Sequence, residues 1–220
     1  MIGILIPVHN EEELLDGCLS SIALAARHPA LRGEPVQVLV VLDSCTDRSA
    51  AIARLHKVQT AEVTARNVGQ ARAIGAARLL EQGARWIACT DGDSRVADDW
   101  LAEQLALDAD AVCGTVTIDH WHESFSEQSQ IRYQQHYQQR DDHRHVHGAN
   151  LGFSATAYRR AGGFAPLACH EDVHLVRRFE REGMFIAWSC RPRVSTSARL
   201  DARAVGGFAD FLRALEAEAS

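Results

Sequence analysis

The sequence predicts an α/β fold: a mostly parallel sheet with helices on both faces, in a single domain. Three observations lead there. Apolar runs of strand length, "IGILIPV", "VQVLVVLD" and "WIACTD", alternate with segments of helical period. Each run is almost unbroken Val, Ile and Leu, as expected for strands covered on both sides. No repeat and no Pro- or Ser-rich linker divides the 220 residues, a length that one domain can hold.

The first run spans Ile2 to Val8, and Asn10 is then expected to cap a helix with the face Leu14, Leu15, Cys18, Leu19 and Ile22. The second strand is 36–43, and Asp47 is placed to cap a helix carrying Ile52 and Leu55. A weaker strand lies near Glu62 to Thr64, and an alanine-rich helix runs from about Gly69 to Gln82 before "WIACTD". The second half is less regular. "AVCGTVTI" (111–118) leads into His120, Trp121 and His122, and a glutamine-rich segment within 124–140 is expected to be helical. "HRHVHGANLGFS", the pair Gly162–Gly163 and "HEDVHLVRRF", which opens a helix, follow. Near the end, Phe208, Phe211, Leu212 and Leu215 recur at helical spacing. That stripe is expected to pack on the domain or in a homodimer, with peripheral membrane contact to a lipid acceptor as the alternative.

A net charge of −6 offers no basic surface for nucleic acid or anionic lipid. The opening apolar run is short, lacks a basic leader and ends in Glu11 to Glu13, unlike a signal peptide. No apolar stretch reaches the roughly 18 residues of a membrane span. The six cysteines form no C-x-x-C pair, which suits free thiols in a reducing cytosol, so the expected location is cytoplasmic.

In parallel sheets ligands bind beyond the carboxyl ends of the strands. His9–Asn10, Asp43 and Asp91-Gly92-Asp93 all fall at such ends, so three loops are expected to converge on one crevice. Carboxylates two apart across a glycine repel unless a cation or a hydrogen-bonding partner lies between them. The plain alternative is a turn, for which Asp-Gly is a common dipeptide. Asp98 and Asp99 precede the periodic Trp100, Leu101 and Leu105 and read as helix-start acids. His143, His145 and His147 alternate, so on an extended segment they share a face. They could hold Zn²⁺, complete another metal's coordination, or line a polar pocket.

Taken together, "IPVHNEE", "VVLDSCTDRS", "RNVGQARAIGAA", "TDGDS" and "GANLGFSATAYRRAGGF" with its following "HEDVHLVRRFEREG" resemble, in order, the motifs of a family 2 glycosyltransferase. The resemblance covers roughly residues 1 to 190 and implies the nucleotide-sugar-binding GT-A fold. It divides the domain into a nucleotide-sugar half, 1–118, and an acceptor half with a C-terminal helix, 119–220. It implies a single, inverting sugar transfer from a nucleoside-diphosphate sugar, UDP- or GDP-type, to a small-molecule, glycan or lipid-linked hydroxyl.

The resemblance also distributes roles. Asp93 would ligate Mn²⁺ or Mg²⁺, with Asp91 reaching the metal through water or holding ribose. Asp43 would hold base or ribose, Pro7, His9 and Glu11 would line the nucleotide site, and Arg72 would be the cation near the diphosphate. Arg66 and Arg78 would face solvent. Asp172 would be the base and Glu171 would hold the acceptor; two acids favouring a helix N-terminus is the plain alternative. Trp121, His147 and Asn150 fall on the acceptor side of the cleft. Two departures stand out: Leu42 replaces the first acid of the usual second-strand pair, and the processivity motif Q-x-x-R-W is absent. Rival functions are a nucleotidyltransferase, which would want a glycine- and lysine-rich loop where "PVHNEEE" stands, and a non-catalytic histidine-rich metal-binding protein.

Overall fold

The chain opens with β1 (Ile2–Val8), α1 (Leu15–Ala25), β2 (Val36–Asp43), α2 (Ser49–Leu55), β3 (Gln59–Val63) and α3 (Val68–Glu81). It continues through β4 (Trp86–Cys89), β5 (Arg95–Val96), α4 (Trp100–Ala106), β6 (Ala111–Trp121) and α5 (Glu127–His136). β7 (Leu151–Ser154), α6 (Ala155–Ala161), α7 (Glu171–Arg181) and β8 (Ile186–Ala198) complete it. This computed structural model describes residues 1–121, 125–137 and 139–198, without the side chains of 119, 120, 132, 134–136 and 198. His122 and the stripe Phe208, Phe211, Leu212 and Leu215 lie outside the described residues.

Eight strands form one sheet in the order β3-β2-β1-β4-β7-β6-β8-β5. β1 to β4, β6 and β8 run one way; β7 and β5 run against their neighbours, so the mostly parallel sheet is mixed at its second half. β1 shows why an unbroken apolar run is needed. Its Ile2, Ile4, Ile6 and Val8 enter a core formed with α1, α2 and α4. Leu5 enters a second core on the opposite face, with α3, α6 and α7. Each such buried side chain contributes about 1.5–3 kcal/mol.

The sheet opens where the strand order reverses. β1 pairs with β2 as far as Val8, but with β4 only as far as Leu5 opposite Cys89. Pro7 lies just beyond that last β4 partner, where its missing N–H costs no bond to β4. The crevice expected for this topology therefore begins between the carboxyl ends of β1 and β4.

Two local expectations change. Asn10 is not a helix cap: it takes a left-handed φ of 55°, and its Oδ1 accepts the Thr46 N–H at 2.8 Å instead. α1 starts later, after Leu14, without a side-chain cap. The strand placed near Glu62 to Thr64 is longer and begins at Gln59. Asp47 does accept the N–H of Ser49 at 3.0 Å, at the start of α2. Among the described residues, no helix is long and apolar enough to cross a membrane.

α3 sits close on its surroundings because of its glycines. Asn67 caps it by accepting the Gln70 N–H at 2.9 Å, and Gly69 donates its own N–H to Leu167 at 3.0 Å. A Cβ at Gly69 would strike the backbone of Ala165 and Leu167. Backbone cannot yield as a side-chain tip can, so Gly69→Ala is expected to destabilise the chain. Alanine's advantage in a helix is about 1 kcal/mol, against about 1–3 kcal/mol for overpacking. A urea midpoint that drops measures the net loss; a raised midpoint would show that the 165–167 segment gives way.

Candidate functional site

The loops after β1 and β2 are sewn together by their own polar groups. Glu11 donates its N–H to Ser49 Oγ at 2.8 Å, and Glu12 donates its N–H to Asp47 Oδ2 at 2.9 Å. In return Glu12 Oε2 accepts from the backbone and the Nε of Arg48, at 3.0 and 3.1 Å. His9 places Nδ1 2.6 Å from the Asp43 carbonyl. Asp43 itself turns to the third loop. Its Oδ1 accepts the N–H groups of Ala65 and Arg66, both at 2.8 Å, and Oδ2 accepts that of Asn67 at 2.9 Å. Burial disfavours its charge, yet these N–H groups and the Ser44 hydroxyl hold its carboxyl below the ordinary value.

After β4 the chain makes the Asp91-Gly92-Asp93 turn, closed by the Ser94 N–H on the Asp91 carbonyl at 3.1 Å. A Cβ at Gly92 would lie 3.0 Å from Val8 Cγ2 and 3.1 Å from Glu11 Cγ, so the turn is pressed against the β1 loop. Asp93 Oδ1 is 3.1 Å from Ser94 Oγ and 3.5 Å from the Thr196 hydroxyl of β8. Burial and the charges of Asp93, Glu171 and Asp172 push the Asp91 carboxyl above its ordinary value, against the pull of Arg72. Glu11, Asp91 and Asp93 all act on the neighbouring Cys18 thiol, which burial above all pushes up. The loop is thus a turn that carries two carboxylates.

Arg72, from α3, lies beneath that cluster with its side chain 4% exposed. Its NH2 donates to Asp91 Oδ1 at 2.5 Å and its NH1 to Glu171 Oε1. Burial disfavours the guanidinium charge, but the Glu171 and Asp91 carboxylates outweigh it and hold Arg72 charged. A Cβ at Gly148 would collide with the same guanidinium, so only glycine fits above it. Arg72 is thus enclosed, and Glu171, 3% exposed, faces the arginine.

Asp172 is the half-buried member of the pair. Its Oδ2 accepts the Gly148 N–H and its Oδ1 the Val173 N–H, both at 2.7 Å. Beside Gly148, His147 Nε2 lies 2.8 Å from the Tyr137 hydroxyl, which also accepts the Val116 N–H at 2.8 Å. His147 stays neutral, its pKa lowered to about 3 by burial and then by His145 and His143. The three histidines do share a face, with successive rings stacked at 5.5 and 6.0 Å. Among the described residues, however, no three His, Cys, Asp or Glu side chains form a group able to hold a metal ion.

Asn150 is enclosed as well. It is fully buried, its Oδ1 accepts from Trp100 Nε1 at 2.9 Å, and its amide donates to Thr115 and Pro192 carbonyls at 2.7 and 2.8 Å. It is a structural hub, with no hydrogen left for an acceptor. Trp121 is half-buried, edge-on to Phe125 and Tyr133 at 5.5 Å each. Pro7 is half-buried at the mouth of the crevice, and Arg66 and Arg78 are exposed as expected. Asp99 opens α4 but pairs with Arg193 at 3.0 Å. Sequence analysis missed Thr196, Tyr137 and Gly148. Thr196 and Tyr137 carry no local motif, whereas the small residue following the histidine run hinted at a close approach.

A model of the family described as Glycosyl transferase family 2 matches residues 3–162. No curated protein matches the sequence significantly. Among solved structures, S. aureus TarS in complex with UDP-GlcNAc aligns with a TM-score of 0.68 at 12% identity, covering 94% of this chain and 61% of that one. The mannosyltransferase PcManGT from Pyrobaculum calidifontis, in complex with GDP-Man and Mn²⁺, gives 0.69 at 17%, covering 98% and 61%. Glucosyl-3-phosphoglycerate synthase from Mycobacterium tuberculosis, with Mn²⁺, UDP and glucosyl-3-phosphoglycerate, gives 0.65 at 16%, covering 98% and 78%. The chain thus spans about three-fifths of the first two. At such identities the likeness is one of fold, the GT-A arrangement.

Removing one partner of a buried ion pair leaves the other charge without compensation, at about 3–5 kcal/mol. Arg72→Met is expected to lose stability on that scale in urea at pH 7.5; a loss below about 1 kcal/mol would mean that Glu171 is well solvated.

His147 sets a pH dependence with the opposite origin. The unfolded imidazole takes up a proton as pH falls through about 6.5, whereas the folded one stays neutral down to about 3. The unfolded state then binds more protons, so His147 removes stability as pH falls across that window. Asp91, raised in the folded state, acts in the other direction. The difference between wild type and His147→Gln isolates the imidazole: the variant should lose less stability between pH 6.5 and 4.5, and parallel curves would contradict a ring held neutral in the folded state.

Proposed function

Since the chain belongs to glycosyl transferase family 2, we propose that it moves one sugar from a nucleoside-diphosphate sugar to a hydroxyl acceptor, with inversion. The observation behind this is the shared arginine. Through Arg72, the carboxylates of the β4 turn and those at the start of α7 are held against one crevice at the ends of β1 and β4. Donor-side and acceptor-side chemistry need that proximity.

The donor set suits a divalent cation. Asp91 and Asp93 offer hard oxygen ligands, and the crowding that pushes Asp91 up is relieved by positive charge. Mg²⁺ and similar ions are commonly held by one or two carboxylates plus substrate phosphates, not by an all-protein cage. Bound at Asp93, with Asp91 beside it, Mn²⁺ or Mg²⁺ would offset the charge of the departing nucleoside diphosphate.

The chain's own residues supply the rest. Asp43, by pinning Ala65 to Asn67, shapes the loop beside the base and ribose, with Pro7, His9 and Glu11 on the facing loop. Asp172 accepts the acceptor hydroxyl's proton as that oxygen bonds to the anomeric carbon and the bond to the diphosphate oxygen breaks. The Gly148 N–H holds one oxygen of this base in place. Arg72 and Glu171 are positioning residues, since both are enclosed. The nucleotidyltransferase rival gains nothing from the acidic β1 loop, which lacks a lysine or glycine for phosphates.

Asp93 and Asp172 should fail differently. Asp93→Ala is expected to abolish the Mn²⁺-dependent part of UDP or GDP binding in calorimetry while the chain stays folded. Asp172→Asn should keep nucleotide affinity but lose transfer by about 10²–10⁴-fold. Asparagine suits a helix start nearly as well as aspartate, so full activity in Asp172→Asn would leave only a structural role for that residue. Unchanged Mn²⁺-dependent affinity in Asp93→Ala would reject the metal assignment.

A further inference from the structure

A cavity of about 320 Å³ opens beside β6 and α5, lined by Thr117, Ile118, Trp121, Tyr133, Tyr137 and Gln139. Its size falls at the lower end of the ~300–1,000 Å³ of small-molecule pockets. Two chains of contacts tie it to the reactive carboxylates. Ile118 is paired across the sheet with Thr196, whose hydroxyl is 3.5 Å from Asp93. On the other side Tyr137 contacts His147, and the next residue, Gly148, binds Asp172. The cavity is thereby bracketed by the residues assigned to the metal and to the base.

We propose that this cavity is the acceptor subsite and takes the uncharged, hydroxylated ring of a glycosyl unit. This rests on the glycosyltransferase reading above and goes further by choosing the acceptor class. Three aromatic side chains contribute to the wall: Tyr133 and Tyr137 stack at 5.0 Å, with Trp121 edge-on to Tyr133. Such surfaces attract the C–H face of a sugar through dispersion and apolar burial. Tyr133 and Tyr137 are 4% and 9% exposed, and Tyr137 is stacked between Tyr133 and His145. The two hydroxyls are directed at the Val116 carbonyl and at His147, so the tyrosines offer the cavity ring edges and the half-buried Trp121 its indole. Hydroxyl groups of a sugar would meet the exposed Gln139 amide and the Thr117 oxygen, which donates to the Val194 carbonyl and, as a hydroxyl, also accepts. Among the described residues, none of the six lining side chains is charged, so these six offer a phosphorylated or carboxylate acceptor no counter-ion.

Saturation-transfer NMR on the full chain, with methyl gluco-, galacto- and mannopyranosides as neutral probes and 3-phosphoglycerate as the anionic one, tests this. At least one methyl glycoside should show saturation of its ring C–H protons and resist displacement by 3-phosphoglycerate. Trp121→Ala should weaken that binding about tenfold and Trp121→Phe should restore most of it. Gln139→Ala, at an exposed position that does not threaten the fold, should weaken it about threefold. Absence of any glycoside signal in the wild type, indifference to both Trp121→Ala and Gln139→Ala, or displacement by 3-phosphoglycerate overturns the proposal. UDP and GDP binding with Mn²⁺, measured on the same samples, separates the two levels. Failure there counts against the donor chemistry, while the glycoside signal still decides the cavity.

Discussion

The guanidinium of Arg72 lies between carboxylates from distant parts of the chain, Asp91 after β4 and Glu171 at the start of α7. Desolvating Arg72 and Glu171 is expensive, and the arrangement holds because each has a partner in place, with Asp91 partly exposed on the other side of the guanidinium. The surroundings follow from that requirement. Gly148 carries no side chain because the guanidinium fills the space a Cβ would need. α3 must approach the sheet and the 165–167 segment closely enough to deliver Arg72, which Gly75 and Gly69 allow. α7 must begin where Glu171 meets the arginine, and that start also brings Asp172 to the Gly148 N–H. A strong local charge problem thereby positions the flanking acids.

The loops at the carboxyl ends of β1, β2 and β3 depend on a different device. They leave parallel strands at the point where the strand order reverses, and neighbouring strands no longer hold them. They hold one another instead. Glu12 donates to Asp47 and accepts from Arg48 across the first two loops, and Asp43 gathers three backbone N–H groups of the third. A carboxylate satisfied by backbone N–H groups stays ionised and keeps its loop in one conformation. The acids presented there thus rest on a frame that is itself built from acids.

The β6–β8 side of the crevice rests on a break in the sheet. Between Gly114 and Thr115 the β6–β8 register jumps, from Ser189 to Arg193 as partner. Ladder pairing cannot be continuous there, and Asn150 donates to the Thr115 and Pro192 carbonyls at that point. Its oxygen takes the Trp100 indole, joining α4 to the same point. Beyond the break, β6 and β8 run on together and carry Trp121 and Thr196 toward the aromatic cavity and Asp93. An interruption that would leave buried carbonyls unpaired is thus the support of this half of the crevice.

The strands, the helices between them and the crevice at the strand ends were legible in the sequence, because a strand buried on both faces must be apolar throughout and a helix must repeat its apolar face. Asp91, Asp93, Glu171 and Asp172 were legible as acids set at strand and helix ends. What those acids touch was not. Arg72 looked like a cation for a diphosphate, and only its placement beneath Gly148, between Asp91 and Glu171, showed it to be enclosed. Asn150 looked like a cleft residue until the β6–β8 break supplied two carbonyls for it. Thr196 stands 103 positions from Asp93 and meets it only through the sheet. Local periodicity and turn chemistry act over a few residues and are written in the sequence. Charge pairing and hydrogen bonding act between neighbours in space, and tertiary packing alone decides who those neighbours are.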